Sequence, residues 1–210
     1  MELRPASHGD IDGLARLVTG EESQPTTVAG MGLFGLERFE DALELSRVMI
    51  ESTRGWQAMT VADANQAVGL IQLGEAFLAI TPEIVEFAQR VYGADFQQIL
   101  GPRLAVLEKV QTEYPDGCLQ ISEIHVSPDH RGEGIGTALM NHAVEVASNN
   151  EEYGVMGLQM LTDNPARDAF EAWGFEVADT RTDSEFQELT GAAGYHLMLR
   201  ELQGASPTRP

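Results

Sequence analysis

Val126-Ser127-Pro128-Asp129-His130-Arg131-Gly132-Glu133-Gly134-Ile135-Gly136-Thr137 is the stretch that decides how this chain folds. It leaves an apolar strand, turns at Ser-Pro-Asp and enters a helix whose Leu139, Ala143 and Val146 recur on one face. Glycines at 132, 134 and 136 expose successive backbone N–H groups with no Cβ in the way. The helix end adds the positive end of its dipole, and Arg131 adds a charge-assisted hydrogen bond. Together they form a cradle for a pyrophosphate. Two other readings compete. Glycines at a strand–helix junction can serve tight packing alone. A dinucleotide loop instead follows the first strand of a βαβ unit, with an acidic residue about 20 positions on. Here the loop sits past mid-chain, with Gly-x-Gly-x-Gly spacing behind an arginine.

Outward from the loop, Leu119 to Val126 reads as the strand before it and Ile135 to Ser148 as the helix after it. A strand over Val155–Leu161, a helix over Pro165–Trp173 and strands near Phe175–Thr180 and Tyr195–Arg200 follow. Upstream, Leu3–Pro5 is a short strand, and Asp10 caps a helix carrying Ile11, Leu14, Leu17 and Val18. Val28–Gly35 is a looser Gly-rich stretch, and Leu36, Phe39, Leu43 and Ile50 mark a second helix. Trp56–Ala62 and Ala67–Leu73 form a hairpin around Asp63-Ala64-Asn65-Gln66. Thr81 caps a helix beginning at Pro82 and ended by Gly93, and Gly101-Pro102 breaks the stretch after it. Strands alternating with helices in the second half predict a mixed α/β sheet.

Composition narrows the function classes. The 210 residues are 43% apolar, enough for a proper core, and contain no run that would span a bilayer. The N-terminus lacks signal-peptide features, so the cytoplasm is the expected compartment. Thirteen Lys and Arg against 33 Asp and Glu give a formal net charge of -20. Such a surface repels nucleic-acid phosphates and attracts amines, although it also serves solubility. Cys118 is the only cysteine, which excludes an internal disulfide and a multi-cysteine zinc site. We read it as a small buried hydrophobe.

Arg131-Gly132-Glu133-Gly134-Ile135-Gly136 resembles the Arg/Gln-x-x-Gly-x-Gly/Ala signature of the GNAT N-acetyltransferases. Asn164-Pro165-Ala166-Arg167-Asp168-Ala169-Phe170-Glu171-Ala172-Trp173-Gly174-Phe175 is similar to the family's later Asn…Ala…Tyr…Gly-Phe segment. The resemblance implies a largely antiparallel, twisted α/β (α+β) sheet of about six to seven strands flanked by helices. It implies one domain over 1–203, with 82–115 as a helical insertion before the central strand and 204–210 as a disordered tail. It implies acetyl-coenzyme A as co-substrate and no metal. Arg131, Gly132, Glu133, Gly134, Ile135, Gly136 and Thr137 would surround the pyrophosphate, with the backbone of Ile124 and Val126 along the pantetheine arm. Asn164 and Phe170 would border the coenzyme, although Asn164 also reads as a helix cap.

The implied reaction is transfer of the acetyl group to a primary amine by direct attack in a ternary complex. An alkyl ammonium with a pKa of about 10 must first lose a proton. Strand alternation puts Glu123 and His125 on one face and Ile124 and Val126 on the other. Glu123 is the favoured base and His125 the alternative. Phe170 stands where the family often has a tyrosine acid, and a phenyl ring donates no proton. Tyr195 and Tyr153 are the substitutes, unless the thiolate leaves unaided. Phe170 also motivates a second reading: a non-catalytic module that binds coenzyme A or acyl-coenzyme A. A small cationic amine is the favoured acceptor, with a peptide or protein amine as the other class. No nucleic-acid or membrane partner is expected, and the acidic surface and apolar helical insert suggest a homodimer.

Overall fold

The structure is a computed structural model that describes residues 2–63, 66–74 and 80–202. Its elements in chain order are β1 (Glu2–Pro5), α1 (Ile11–Thr19), α2 (Pro25–Phe34), α3 (Phe39–Ser52), β2 (Met59–Asp63) and β3 (Ala67–Leu73). There follow α4 (Pro82–Tyr92), α5 (Phe96–Val110), β4 (Cys118–Val126), α6 (Ile135–Ser148) and β5 (Val155–Leu161). The chain then forms α7 (Arg167–Ala172), β6 (Glu176–Thr182), α8 (Ser184–Thr190) and β7 (Gly194–Glu201). Seven strands make one sheet in the order β1-β2-β3-β4-β5-β7-β6. Every neighbouring pair is antiparallel except β4 and β5. No helix among the described residues is long and apolar enough to cross a membrane.

Each face of the sheet buries the apolar stripe of particular helices. Leu139, Met140, Ala143 and Ala147 of α6 pack with Val68, Ile71, Leu119 and Ile121. On the other face Leu14 and Ala15 of α1 and Ile50 of α3 cover Val61 and Leu70. Beside them Leu33 of α2, Val106 and Val110 of α5 and Phe186 of α8 cover Leu161 of β5. Burial of this kind is the main stabilising term.

The structure corrects several local expectations. Val28–Gly35 is not loose; it belongs to α2. The segment PTTVAGMGLF has no polar face to reveal a period, because α3, α5 and α8 surround it. Gly101-Pro102 does not break α5. Proline removes the N–H that would reach the Gln98 carbonyl, and both residues are exposed, so that carbonyl is open to solvent rather than buried without a partner. The first hairpin strand begins at Met59, with Trp56 in a 3-10 turn over Gly55–Ala58. Asp10 makes no capping bond to α1; its carboxylate accepts instead from Arg4 Nη1 and Nη2 and from Ser7. The Asp183-capped α8 had no counterpart in the sequence reading. Ala64 and Asn65 of the hairpin turn and the 204–210 tail lie outside the described residues.

Two irregularities of β4 shape the centre of the sheet. Gln72 pairs with Glu123 but Leu73 with Ile121, so Ser122 is an extra, bulged residue. Its hydroxyl donates to the Gly74 carbonyl at 2.8 Å. On its other side β4 pairs with β5 only through Cys118, Leu119 and Gln120. Beyond that point the two parallel strands separate.

Candidate active site

The loop after β4 is built as its sequence suggested. Ser127 N–H donates to the Val68 carbonyl at 2.8 Å, and a 3-10 turn over Pro128–His130 delivers an extended Arg131. Gly132 and Gly134 take φ of +81° and +82°, a left-handed backbone that side chains disfavour. A Cβ on either would meet nothing within 4 Å, so the mouth in front of them is open. Gly136 differs, because a Cβ there would sit 3.3 Å from the Trp173 ring. Its missing side chain therefore serves packing. The first helical bond of α6 runs from Ala138 N–H to the Gly134 carbonyl. Among the described residues, the N–H groups of Gly132, Gly134, Ile135, Gly136 and Thr137 have no backbone acceptor. Arg131 is exposed and has no carboxylate partner among the described residues. Glu133 turns to His130 Nδ1 at 3.2 Å, and the Ile135 side chain is buried in the core, leaving only its N–H at the mouth. Thr137 is exposed beside it.

From this mouth an open cleft of about 2210 Å³ runs through the gap between β4 and β5 to the opposite face. Because β4 has no β5 partner after Gln120, alternate main-chain groups of residues 121–126 face the gap. Ile124 and Val126 point their side chains toward the α6 core. Asn164 and Phe170 border the cleft on the α6 side. The Asn164 Oδ1 accepts from Ala166 N–H at 2.9 Å, and α7 starts only at Arg167, later than the Pro165 start the sequence suggested. Phe170 is buried, its ring edge-on to Trp173 and Phe175 at 5.4 Å and 5.9 Å.

On the other face Glu123 and His125 stand side by side, with Nε2 of His125 2.5 Å from Oε2 of Glu123. Tyr195, in β7, lines the same cleft. Burial and then the nearby Glu123 carboxylate push its phenol up to about 12. Cys118 is half-buried at the closed end of the β4–β5 pair, and burial raises its thiol to about 11, so it is no thiolate nucleophile at neutral pH. Tyr153 packs against the α6 core, away from this cleft's lining. Among the described residues no cluster of His, Cys, Asp or Glu is placed to hold a metal ion. The lining residues of α2 with Leu36, together with Leu107 and Glu108 of α5 and the segment Gln111–Tyr114 that follows it, wall the far side. Gln72, Trp173 and Arg181 are among the lining residues that the sequence did not single out. Gln72 depends on the β3–β4 register, Trp173 on α7 folding back against Gly136, and Arg181 on the pairing of β6 with β7.

A family model described as Acetyltransferase (GNAT) domain matches residues 56–177, which is more than half of the chain. The chain belongs to the GNAT acetyltransferase family. The match takes in β2 to β4, the glycine loop, α6, β5 and α7 of this GNAT chain. Streptothricin acetyltransferase of Streptomyces lavendulae is 37% identical to it over 85 residues, which cover 40% of this chain and 43% of that protein. The match thus spans less than half of the relative's length. An N-acetyltransferase from Staphylococcus aureus Mu50 superposes with a TM-score of 0.60 at 18% identity, covering 95% of this chain and 100% of that one. A Corynebacterium glutamicum structure described as histone acetyltransferase HPA2 and related acetyltransferase also gives 0.60 at 18% identity, covering 99% and 98%. At such identities the likeness is one of fold.

Proposed function

We propose that this GNAT chain transfers the acetyl group of acetyl-coenzyme A to a primary amine, by direct attack with both substrates bound. One observation carries the reading: the bare N–H groups at the α6 mouth and the Glu123–His125 pair lie at opposite ends of a single cleft through the sheet. The residues present fit the donor. Two glycines with open space in front, a helix N-terminus and an Arg131 with no carboxylate partner among the described residues suit a diphosphate. The free edge of β4 suits an extended arm carrying amide groups. When bound, the coenzyme supplies an activated thioester.

The remaining chemistry belongs to the protein. With Nε2–H of His125 donated to Glu123, Nδ1 carries the lone pair that takes the ammonium proton, and the carboxylate stabilises the imidazolium. A β4 N–H facing the gap stabilises charge on the carbonyl oxygen. Burial and the Glu123 carboxylate raise the Tyr195 phenol to about 12, a weak acid for a thiolate whose conjugate acid lies at about 8.5, which favours a thiolate that leaves unassisted. Glu21, Glu108, Glu113 and Glu123 outnumber Arg16 and Arg181 on the acceptor side, which favours a small cationic amine. Isothermal titration with acetyl-coenzyme A tests the donor half: Arg131→Ala with Gly134→Trp should abolish binding, and wild-type-like binding by that variant would defeat the assignment. The buried, hydroxyl-free Phe170 favours one rival, a module that binds the coenzyme without turnover. Release of free thiol in the presence of an amine panel separates the two.

A further inference from the structure

Gln72 is the residue on β3 that pairs directly with Glu123, and cross-strand partners share a face of the sheet. It lines the cleft, yet it is only 6% exposed. Its β3 neighbours Val68, Leu70 and Ile71 are buried and apolar, so packing alone would be served by a leucine. Among the described residues no side-chain hydrogen bond engages the Gln72 amide, and neither of its polar atoms is sealed away from the cleft without a partner; the atom in that state is Ser52 Oγ. An amide set among apolar neighbours, facing the cleft beside the candidate base with its hydrogen-bonding capacity free, is placed for a ligand.

We propose that Gln72 Oε1 holds one N–H of the acceptor nitrogen and thereby makes the site selective for primary amines. The inference rests on the N-acetyl transfer proposed above. A primary ammonium has three N–H bonds. One proton goes to the Glu123–His125 pair and frees the lone pair that forms the new C–N bond. A second passes to solvent as the C–S bond breaks, and the departing thiolate takes up a proton from solvent to become the free thiol, so that one proton is released overall. The third stays on the product amide, and this is the N–H that Gln72 accepts from throughout. A secondary amine yields an amide with no N–H, which leaves Gln72 Oε1 without its donor. Sites built to hydrogen-bond a substrate group reject the analogue lacking it more strongly than apolar pockets reject an extra methyl.

The test uses the full chain, acetyl-coenzyme A and two probes, 1,5-diaminopentane and N,N′-dimethyl-1,5-diaminopentane, followed by free thiol. The wild type should favour the primary diamine at least tenfold in kcat/KM. Gln72→Met should erase that preference by lowering the primary rate roughly tenfold to a hundredfold. Gln72→Glu keeps an acceptor oxygen at the same reach and should keep the preference. Titration with acetyl-coenzyme A should give the same affinity for all three proteins. If Gln72→Met loses that affinity, Gln72→Asn, which withdraws the oxygen by one methylene, takes its place with the same expectation. A steric origin predicts a preference that survives Gln72→Met, because methionine matches glutamine in size; that result, or a wild type indifferent to N-methylation, overturns the inference and leaves acetyl transfer standing. Absence of thiol release from either diamine despite coenzyme binding overturns the reading of the site and this inference with it.

Discussion

Two glycines on α2 should respond in opposite directions to the same substitution. Gly30 and Gly32 lie in one helix, and neither has a positive φ. A Cβ on Gly30 meets nothing within 4 Å, whereas a Cβ on Gly32 would lie 2.0 Å from the Leu189 carbonyl oxygen of α8 and 3.1 Å from its carbon. An ordinary contact needs roughly 3.5 Å, so α2 and α8 would have to part by about 1.5 Å. Both sides of that clash are backbone, which no rotamer change relieves. Overpacking of this kind costs up to about 3 kcal/mol or more, against about 1 kcal/mol gained from helix propensity. We therefore expect Gly32→Ala to lose about 2 kcal/mol or more, and Gly30→Ala to gain up to about 1 kcal/mol. Urea denaturation of the two variants measures the difference directly. Because α2 walls the acceptor side, Gly32→Ala should also raise the acceptor KM while leaving acetyl-coenzyme A affinity alone. A Gly32→Ala protein as stable as Gly30→Ala would refute the close helix crossing on which this rests.

The other expectations concern charge and reactivity. Glu123→Gln, which removes the carboxylate that orients His125 and stabilises its imidazolium, should lower turnover at neutral pH by roughly 10²–10⁴ without weakening coenzyme binding; steady-state thiol release with a coenzyme titration checks both halves. The Arg4 guanidinium, bonded to both Asp10 oxygens, holds that carboxyl well below the usual carboxylate range. A depressed folded pKa contributes stability that is present above about pH 4 and lost as the pH falls. Thermal melts from pH 5 to pH 2 should accordingly fall less steeply for Asp10→Asn than for the wild type, and parallel curves would contradict this. The Cys118 thiol, raised to about 11, should react with iodoacetamide at pH 8 on the order of 10²-fold more slowly than a free thiol, as mass spectrometry over a time course would show.

What was legible in the sequence depended on local chemistry. The loop from Val126 to Thr137, α6 from Ile135 and β5 from Val155 to Leu161 lie where the pattern put them, because glycine spacing and apolar period are properties of the segment itself. The α2 helix was hidden because its surroundings, not its own amphipathicity, make it a helix. Gly32 looked like a loop residue and is instead a contact point between helices. In the cleft the shared face of Glu123 and His125 followed from alternation within one strand. Gln72 and Trp173 enter through pairings with distant segments, which no single stretch of sequence encodes.

The Ser122 bulge links that alternation to the cleft itself. Leu119 and Ile121 face the α6 core, and so do Ile124 and Val126, although an unbroken strand would turn the second pair to the opposite face. The three-residue step from Ile121 to Ile124 is the trace the bulge leaves in the sequence. The extra residue restores the parity, sends Glu123 and His125 to the acceptor side, and bends β4 just where its ladder with β5 stops. Gln120 and Gly157 form the last rung, and they sit tightly: a Cβ on Gly157 would lie 2.8 Å from Cys118 Sγ. Deleting Ser122 would leave Leu73 opposite Ile121 and Gln72 opposite Glu123 in a regular ladder, with every side chain on its present face. Such a strand has no reason to bend from β5, so the deletion variant should stay folded while the gap closes and acetyl-coenzyme A binding is lost. Ser122→Ala keeps the bulge and forfeits only the bond to Gly74, so it should keep binding at a cost of about 1 kcal/mol. A folded deletion variant that still binds the coenzyme like the wild type would show that something other than the bulge holds β4 and β5 apart.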